Sequence, residues 1–135
     1  MKTLRLFALI IGAVVAGMSA VPAHAQRAPA DIQKDYDLFI ARFRGALKAN
    51  DAAAITAMTR MPFYWGEMRD AAYFQKNLYG KIFTPKVRSC LARGKGVYAR
   101  NPQGEADYTL FCGEALFLFT RTPDGFRFIE EGVND

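Results

Sequence analysis

The chain has 135 residues, with 18 Lys and Arg, 13 Asp and Glu, one His and a formal net charge of +5. Without Lys2 and Arg5 of the N-terminal segment, 16 basic and 13 acidic residues remain, a net charge of +3. So mild an excess gives little reason to expect a nucleic-acid partner. The only His, His24, lies in that same segment, so the rest of the chain cannot form a Ser-His-Asp triad, a Cys-His pair or a histidine zinc site.

The first 25 residues have the pattern of a cleaved signal peptide. Lys2 and Arg5 precede an apolar run over residues 6–15, and an Ala-x-Ala cleavage site ends at Ala25. The run is short for a transmembrane helix and is interrupted by glycine. We therefore predict cleavage after Ala25 and a periplasmic or secreted product, a single domain over residues 26–135 without a membrane span.

Two cysteines follow the predicted cleavage site, Cys90 and Cys112. In an exported chain an even number of cysteines favours a disulfide bond. The alternative is a pair of buried thiols. We predict the disulfide, which would close a loop of about 20 residues and contribute roughly 3 kcal/mol to stability.

The predicted helices come first in the chain. Asp31 is expected to cap a long first helix that ends near Ala49. Its apolar residues follow helical spacing and predict one buried stripe: Ile32, Tyr36, Phe39, Ile40, Phe43 and Leu47. Three further helices are predicted, over 52–58, from Asp70 to a stop at Gly80, and from Thr84 to a stop at Gly94.

From residue 95 the apolar residues change to the period of a strand. We predict a first strand over 96–100, a turn over 101–104 and a three-stranded meander over 107–132. Its last hairpin turns at Pro123-Asp124-Gly125, where Pro presets φ and Gly supplies a positive φ. Helices followed by strands are typical of an α+β domain, here with helices on a curved antiparallel sheet of about four strands.

The strand predicted over 114–120 is apolar on both faces. Phe117 and Phe119 alternate with Leu116 and Leu118. A strand that is buried on both faces needs a cover on each. We expect the helices to cover the phenylalanines. The leucines then either contact a second subunit, which predicts a homodimer through the outer sheet face, or stay partly exposed.

Two segments carry a resemblance to a known family. Over residues 42–51 the first helix runs into a short break and a second helix, and residues 124–128 begin a closing strand with a polar end. In order and position they resemble the nuclear transport factor 2-like superfamily, which includes SnoaL-like polyketide cyclases and ketosteroid isomerases. The resemblance covers nearly all of residues 26–135 and rests on architecture. It implies a cone of helices and curved sheet around an apolar pocket, and frequent dimerisation through the outer sheet face.

The resemblance also bears on catalysis. Where ketosteroid isomerases place a Tyr donor in the first helix, this chain has Phe43, and their late-strand acid is replaced by phenylalanine. Their general base falls near Glu67, which is present. Because only one of these three catalytic positions is matched, no catalysis is expected. The alternative is a small lyase or isomerase with Glu67 as base and Tyr64 or Tyr108 as donor.

Polar and aromatic side chains cluster over residues 64–70. Trp65 there precedes Glu67, Arg69 and Asp70. One interpretation is a pocket mouth, in which Trp65 stacks on a ligand and a charged residue fixes a polar group. The other, which we favour, is a solvated ion pair beside a helix cap, with Trp65 plugging the open end of the core.

The fourth helix and the segment after it are basic. One interpretation is a site for an anionic partner, and the other, which we favour, is a solvated face that complements the helix C-terminus. The basic residues are Lys86, Arg88, Arg93 and Lys95. Glu114, at the start of an apolar strand, is likewise expected to be exposed.

The expected role is therefore binding, either of a small apolar ligand or of a protein partner. An inhibitor or immunity-type protein of the cell envelope is a further alternative. Aromatic residues on the first helix and the late strands line a pocket or fill a core, and both need the same residue types. The predicted ligand contacts are Tyr36, Phe39, Phe43, Trp65, Phe117 and Phe119. No cofactor and no metal are predicted.

Overall fold

The computed structural model describes residues 26–134, so the predicted signal peptide and its cleavage site lie outside the described residues. The helices precede the four-stranded antiparallel sheet, which confirms the predicted α+β class, and a short hairpin lies between the second and third helices. The helical elements are α1 Ala30–Lys48, α2 Ala52–Ala57, α3 Ala71–Tyr73, a π-helical turn Phe74–Leu78, α4 Tyr79–Ile82 and α5 Pro85–Arg93. The strands are β1 Phe63–Trp65, β2 Glu67–Arg69, β3 Val97–Arg100, β4 Ala106–Cys112, β5 Ala115–Thr122 and β6 Gly125–Val133.

Helix α1 buries one stripe of side chains against the sheet. All six apolar residues predicted for that stripe, at positions 32, 36, 39, 40, 43 and 47, are buried. The predicted cap at Asp31 is wrong, because the helix begins two residues earlier, with Pro29 at the N-cap. Asp31 instead lies in the first turn, where a carboxylate interacts favourably with the helix dipole.

The helical segment that follows Asp70 runs further than predicted. Asp70 caps it, its carboxylate accepting a hydrogen bond from the Tyr73 amide at 2.8 Å. The predicted stop at Gly80 is wrong, because the chain passes through the π-helical turn and remains helical to Ile82. Leu78 and Ile82 are buried on either side of Gly80, so tertiary packing outweighs the low helix propensity of glycine.

Helix α5 begins and ends as predicted. The Thr84 hydroxyl accepts a hydrogen bond from the Val87 amide, and Pro85 occupies the first turn. At its C-terminus, Arg44 of α1 donates to the carbonyls of Leu91, at 2.8 Å, and of Gly94. A guanidinium there satisfies carbonyls that have no partner within the helix and holds α5 against α1.

A disulfide bond joins Cys90 of α5 to Cys112 at the end of β4, as predicted. The bond spans 22 residues of sequence. It fixes the helix to the sheet beside the turn between β4 and β5. Helix α5 is thus held from two sides, by Arg44 at its C-terminus and by a covalent bond at Cys90.

The main sheet has four antiparallel strands in the order β3-β4-β5-β6, a simple meander. Gly113 and Gly125 have positive φ at the two tight turns, which is where glycine is favoured. On the side of the sheet that faces α1, the inner-facing side chains of the four strands are buried. They are Tyr98, Ala106, Tyr108, Leu110, Phe117, Phe119, Phe126 and Phe128.

A β-bulge shifts the register between β5 and β6 at Leu118 and Phe119. Phe128 pairs with Phe119 before the shift, whereas Glu131 pairs with Phe117 after it. The extra residue of β6 therefore places Glu131 on the side of the sheet that Phe117 occupies. Burial raises the pKa of Glu131 above its ordinary value, as expected for a carboxylate close to apolar neighbours.

Residues 63–69, which include most of the polar and aromatic cluster, form a two-stranded hairpin. Its strands are only three residues long and turn at Gly66, which has a positive φ. Phe63 attaches the hairpin to the core, because its ring packs on Phe74 and Phe128. Tyr64 and Met68 are paired across the hairpin, and both are exposed.

The disulfide should contribute measurably to stability. Reduction of the intact chain is expected to lower the free energy of unfolding by about 3 kcal/mol, because the unfolded chain regains the freedom of a 22-residue loop. Denaturant unfolding with and without reductant measures this. The control is a C90S/C112S double variant, which reductant should leave unchanged. Equal stability of the oxidised and reduced wild-type chains would contradict the prediction.

Candidate functional site

The predicted ligand residues of α1 and β5 lie in the core. Tyr36, Phe39, Phe43, Phe117 and Phe119 are all buried. The Phe43 ring centroid lies 5.1 Å from that of Phe119, and the two rings meet edge to face. Phe43 also packs on Phe83, Phe39 and Phe128. In the described chain, aromatic rings therefore fill the space between α1 and β5.

Trp65, the remaining predicted ligand residue, lies apart from this core. It is on the surface hairpin, paired across it with Glu67, with 36% of its surface exposed. The carboxylate of Glu67 forms an ion pair with Arg69, whose guanidinium lies 4.2 Å above the ring of Tyr73. Such an ion pair and cation-π contact stabilise an exposed hairpin. They leave Glu67 on the surface and engaged with a cation.

The alternative catalytic residues are divided between the surface and the core. Glu67 and Tyr64 are exposed on the hairpin. Tyr108 is buried on β4, and its hydroxyl donates to Gln33 at 2.8 Å. A general base and its donor must both reach the same substrate atom. An exposed base and a buried, already bonded hydroxyl do not meet that requirement in this conformation.

The two tyrosines whose pKa is raised most lie in the core between α1 and β4. The rings of Tyr36 and Tyr108 stack in parallel with centroids 3.7 Å apart. Burial raises the pKa of both, to about 12 for Tyr108, so both hydroxyls remain neutral at physiological pH. A Cβ on Gly96 would come within 2.5 Å of the Tyr36 hydroxyl, so this glycine is needed for the close approach of the chain.

Gly94 has the same kind of role. A Cβ there would lie 2.7 Å from a methyl group of Leu110, so any side chain at position 94 would force Leu110 to move. The Gly94-Lys95-Gly96 sequence lacks the spacing of a phosphate-binding loop. Its two glycines are explained by packing against Leu110 and Tyr36.

The outer face of the sheet carries a polar row at one end. In register across the four strands lie Ala99, Asp107, Thr120 and Arg127. The Asp107 carboxylate accepts hydrogen bonds from the Thr120 hydroxyl at 2.7 Å and the Asn101 amide at 3.3 Å. Burial raises the pKa of Asp107, and these two hydrogen bonds oppose that rise.

The other two rows of the outer face are mainly apolar. Val97, Thr109, Leu118 and Glu130 form one row, and Phe111, Leu116 and Gly132 form the next. Val97 and Phe111 are each almost half exposed, at 49% and 45%. We call Val97, Phe111, Leu116 and Leu118 the outer apolar strip. Only the two leucines are predictable from the sequence, because Val97 and Phe111 join them through strand pairing.

The predicted basic residues of α5 do not form one patch. Arg88 lines a groove between α1 and α5, in which Arg44 and Lys48 are its basic neighbours. Lys86 lies in a different groove, beside the disulfide and the exposed Glu114. Lys95 follows the helix and lines a third groove near Tyr36. The groove that holds Arg88 has the highest concentration of positive charge among these three.

No group of three or more His, Cys, Asp or Glu side chains within residues 26–134 is arranged to hold a metal ion. Over the same residues, no helix has both the length and the apolar character needed to cross a membrane. No family model, curated protein or solved structure matches the chain.

Replacement of Phe43 by Ala should lower the free energy of unfolding by about 3–5 kcal/mol, because it leaves a cavity among four aromatic rings. Tyr64→Ala, on the exposed hairpin, is the matched control and should change it by no more than about 0.5 kcal/mol. Denaturant unfolding measures both. A Phe43→Ala chain as stable as the wild type would show that the site is not a packed core.

Stability should also decrease in alkali because of the buried tyrosines. The folded pKa of Tyr108, about 12, exceeds its ordinary value of 10.0. The stability that comes from the neutral hydroxyl is therefore complete below about pH 10 and is lost as the pH rises towards 12. The free energy of unfolding, measured across that interval, should fall less steeply for Tyr108→Phe than for the wild type. Parallel curves would contradict this assignment.

Proposed function

We propose that this chain is a non-catalytic binding domain whose outer sheet face docks a protein partner, and that the partner is a second copy of the chain. The observation that carries the proposal is the contrast between the two faces of β5. Phe117 and Phe119 are fully buried among aromatic rings, whereas Leu116 and Leu118 belong to the partly exposed outer apolar strip. Binding is thus assigned to the outside of the sheet.

The outer apolar strip is suited to contact with protein. It crosses β3, β4 and β5, because Val97 pairs with Thr109, Thr109 with Leu118, and Phe111 with Leu116. Leu116 packs over Gly132 of β6, where a Cβ would lie 3.3 Å from its methyl group. A side chain at Gly132 would displace Leu116, so glycine at this position allows Leu116 to lie close against β6. A partly exposed group of apolar side chains on one face is typical of an interaction site.

A second copy is the partner that the charges of this face favour. Beside the strip, Asp107 and Glu130 are acidic and Arg127 is basic, so both signs occur on the same surface. In a two-fold dimer each copy presents the same patch, and mixed charges avoid the repulsion that a surface of one sign would cause. A strongly charged foreign partner would instead call for one dominant sign.

We also propose that the chain belongs to the nuclear transport factor 2-like superfamily and that it is exported. Long helix α1 packs across the inner face of a four-stranded meander, and the bulge in β6 is a device that bends a sheet. Both features fit a cone of that superfamily, one whose interior is filled. The Cys90–Cys112 disulfide is compatible with an oxidising compartment such as the periplasm.

The dimer can be tested by sedimentation of the purified chain. We expect a dimer at micromolar concentration, and we expect Leu118→Glu to convert it to a monomer, because a charge at the centre of the strip would be buried unpaired. Leu38→Glu is the matched control, since Leu38 is 60% exposed on α1, and this variant should remain dimeric. A monomeric wild type would overturn the proposal, as would a dimer that survives Leu118→Glu.

A further inference from the structure

A groove between α1 and α5 has the composition of a binding site for an amphipathic anion. Its volume is about 430 Å³, within the usual range of small-molecule sites. Leu47, Pro85 and Ala92 form its apolar lining. Arg44, Lys48 and Arg88 supply three positive charges, and none of its lining residues is acidic.

The three cations differ in how much freedom they have. Arg44 is fixed, because it donates hydrogen bonds to the carbonyls of Leu91 and Gly94. Lys48 is exposed at the end of α1. No carboxylate in the described chain forms a salt bridge with Lys48 or Arg88. The groove therefore combines one immobile positive charge with two cations that have no acidic partner there.

Arg88 has a donor without an acceptor. Its Nε is buried and makes no hydrogen bond in the described chain. A buried donor without a partner is costly, and such groups in native proteins call for an explanation. Arg88 also lines the groove, and a carboxylate there would offer its guanidinium two oxygens for charge-assisted hydrogen bonds.

Gly45 keeps the groove open at α1. It lies inside the helix, where glycine is less stable than alanine, and a Cβ there would meet no atom within 4 Å. Neither a turn nor a close contact therefore requires glycine at this position. Its effect on the molecule is to leave space between the two helices, beside Arg44 and Arg88.

We propose that this groove binds a small molecule with a carboxylate head and an apolar body. The carboxylate is bound by Arg88 and Lys48, and the apolar body lies against Leu47, Ala92 and the open side of Gly45. The site belongs to the helical side of the domain and is independent of the outer apolar strip. The test of this site is therefore independent of the test of the proposed dimer.

The test is a titration of the purified full chain with octanoate, followed by the amide resonances of Gly45 and Ser89. Octanoate should shift these resonances saturably. Octanol has the apolar body without the charge, and acetate has the charge without the body, so both should bind at least about tenfold more weakly. Equal binding of octanol and octanoate would overturn the proposal, because the cations would then have no role. Unchanged resonances with octanoate would overturn it too.

Two variants locate the site. Arg88→Gln should weaken octanoate binding by roughly tenfold to a hundredfold, because it removes the charge and its paired hydrogen bonds. Gly45→Leu keeps all three cations, favours the helix and fills the groove, so it should abolish binding without unfolding the chain. Gly80→Leu is the matched control, since a Cβ at Gly80 also meets no atom within 4 Å and Gly80 does not line the groove. Wild-type affinity in Gly45→Leu would place the ligand elsewhere and overturn the proposal.

The proposed dimer provides an independent reference. Leu118→Glu should bind octanoate as the wild type does, because Leu118 is on the sheet and does not line the groove. If Leu118→Glu abolished octanoate binding in a folded chain, the anion would depend on the dimer face, and the independent groove would be refuted.

Discussion

The packing of Phe43 against the inner face of the sheet is the contact on which the rest of the domain depends. Its ring is fully buried and lies within about 6 Å of Phe83, Phe119 and Phe128, measured between centroids. These partners come from the segment after α4, from β5 and from β6. One residue of α1 thereby joins three distant parts of the chain, and each aromatic pair adds to the apolar area removed from water.

The filled interior determines where interactions with other molecules can occur. A side chain that contacts four other rings cannot also contact a ligand unless the core opens. The surfaces that remain include the outer apolar strip, the exposed hairpin and the groove between α1 and α5. They differ in chemistry, because the strip is apolar with mixed charges at its border and the groove is apolar with positive charge alone. Two functions can therefore coexist on a small domain without sharing residues.

Much of the fold was predictable because it depends on local periodicity. The stripe of α1, the cap at Thr84 and the turn before Gly125 each follow from residues close together in sequence. Tertiary packing explains the main error, at Gly80, where buried neighbours keep the chain helical beyond a residue that usually ends a helix. The cap predicted at Asp31 is displaced by two residues, within the usual uncertainty of helix ends.

The candidate sites were less predictable, because they are assembled from residues far apart in sequence. Val97 joins Leu118 only through the register of two strand pairs. Arg88 meets Arg44 only because α5 packs against α1. Neither grouping has a periodic signal in the sequence. A reader of the sequence alone finds the right residue types and has no means of grouping them.

The backbone hydrogen bonds between the segment after α2 and strand β6 have a consequence for assembly. The amide of Phe128 donates to the carbonyl of Met58, and the amide of Arg60 donates to the carbonyl of Phe128, each at 2.9 Å. These bonds occupy the middle of the β6 edge, while β3, at the opposite end of the sheet, has no strand beside it in the described chain. A sheet with two open edges can pass strand pairing from molecule to molecule without limit. With one edge interrupted, pairing through β3 would stop at two molecules, so the fold disfavours fibre growth.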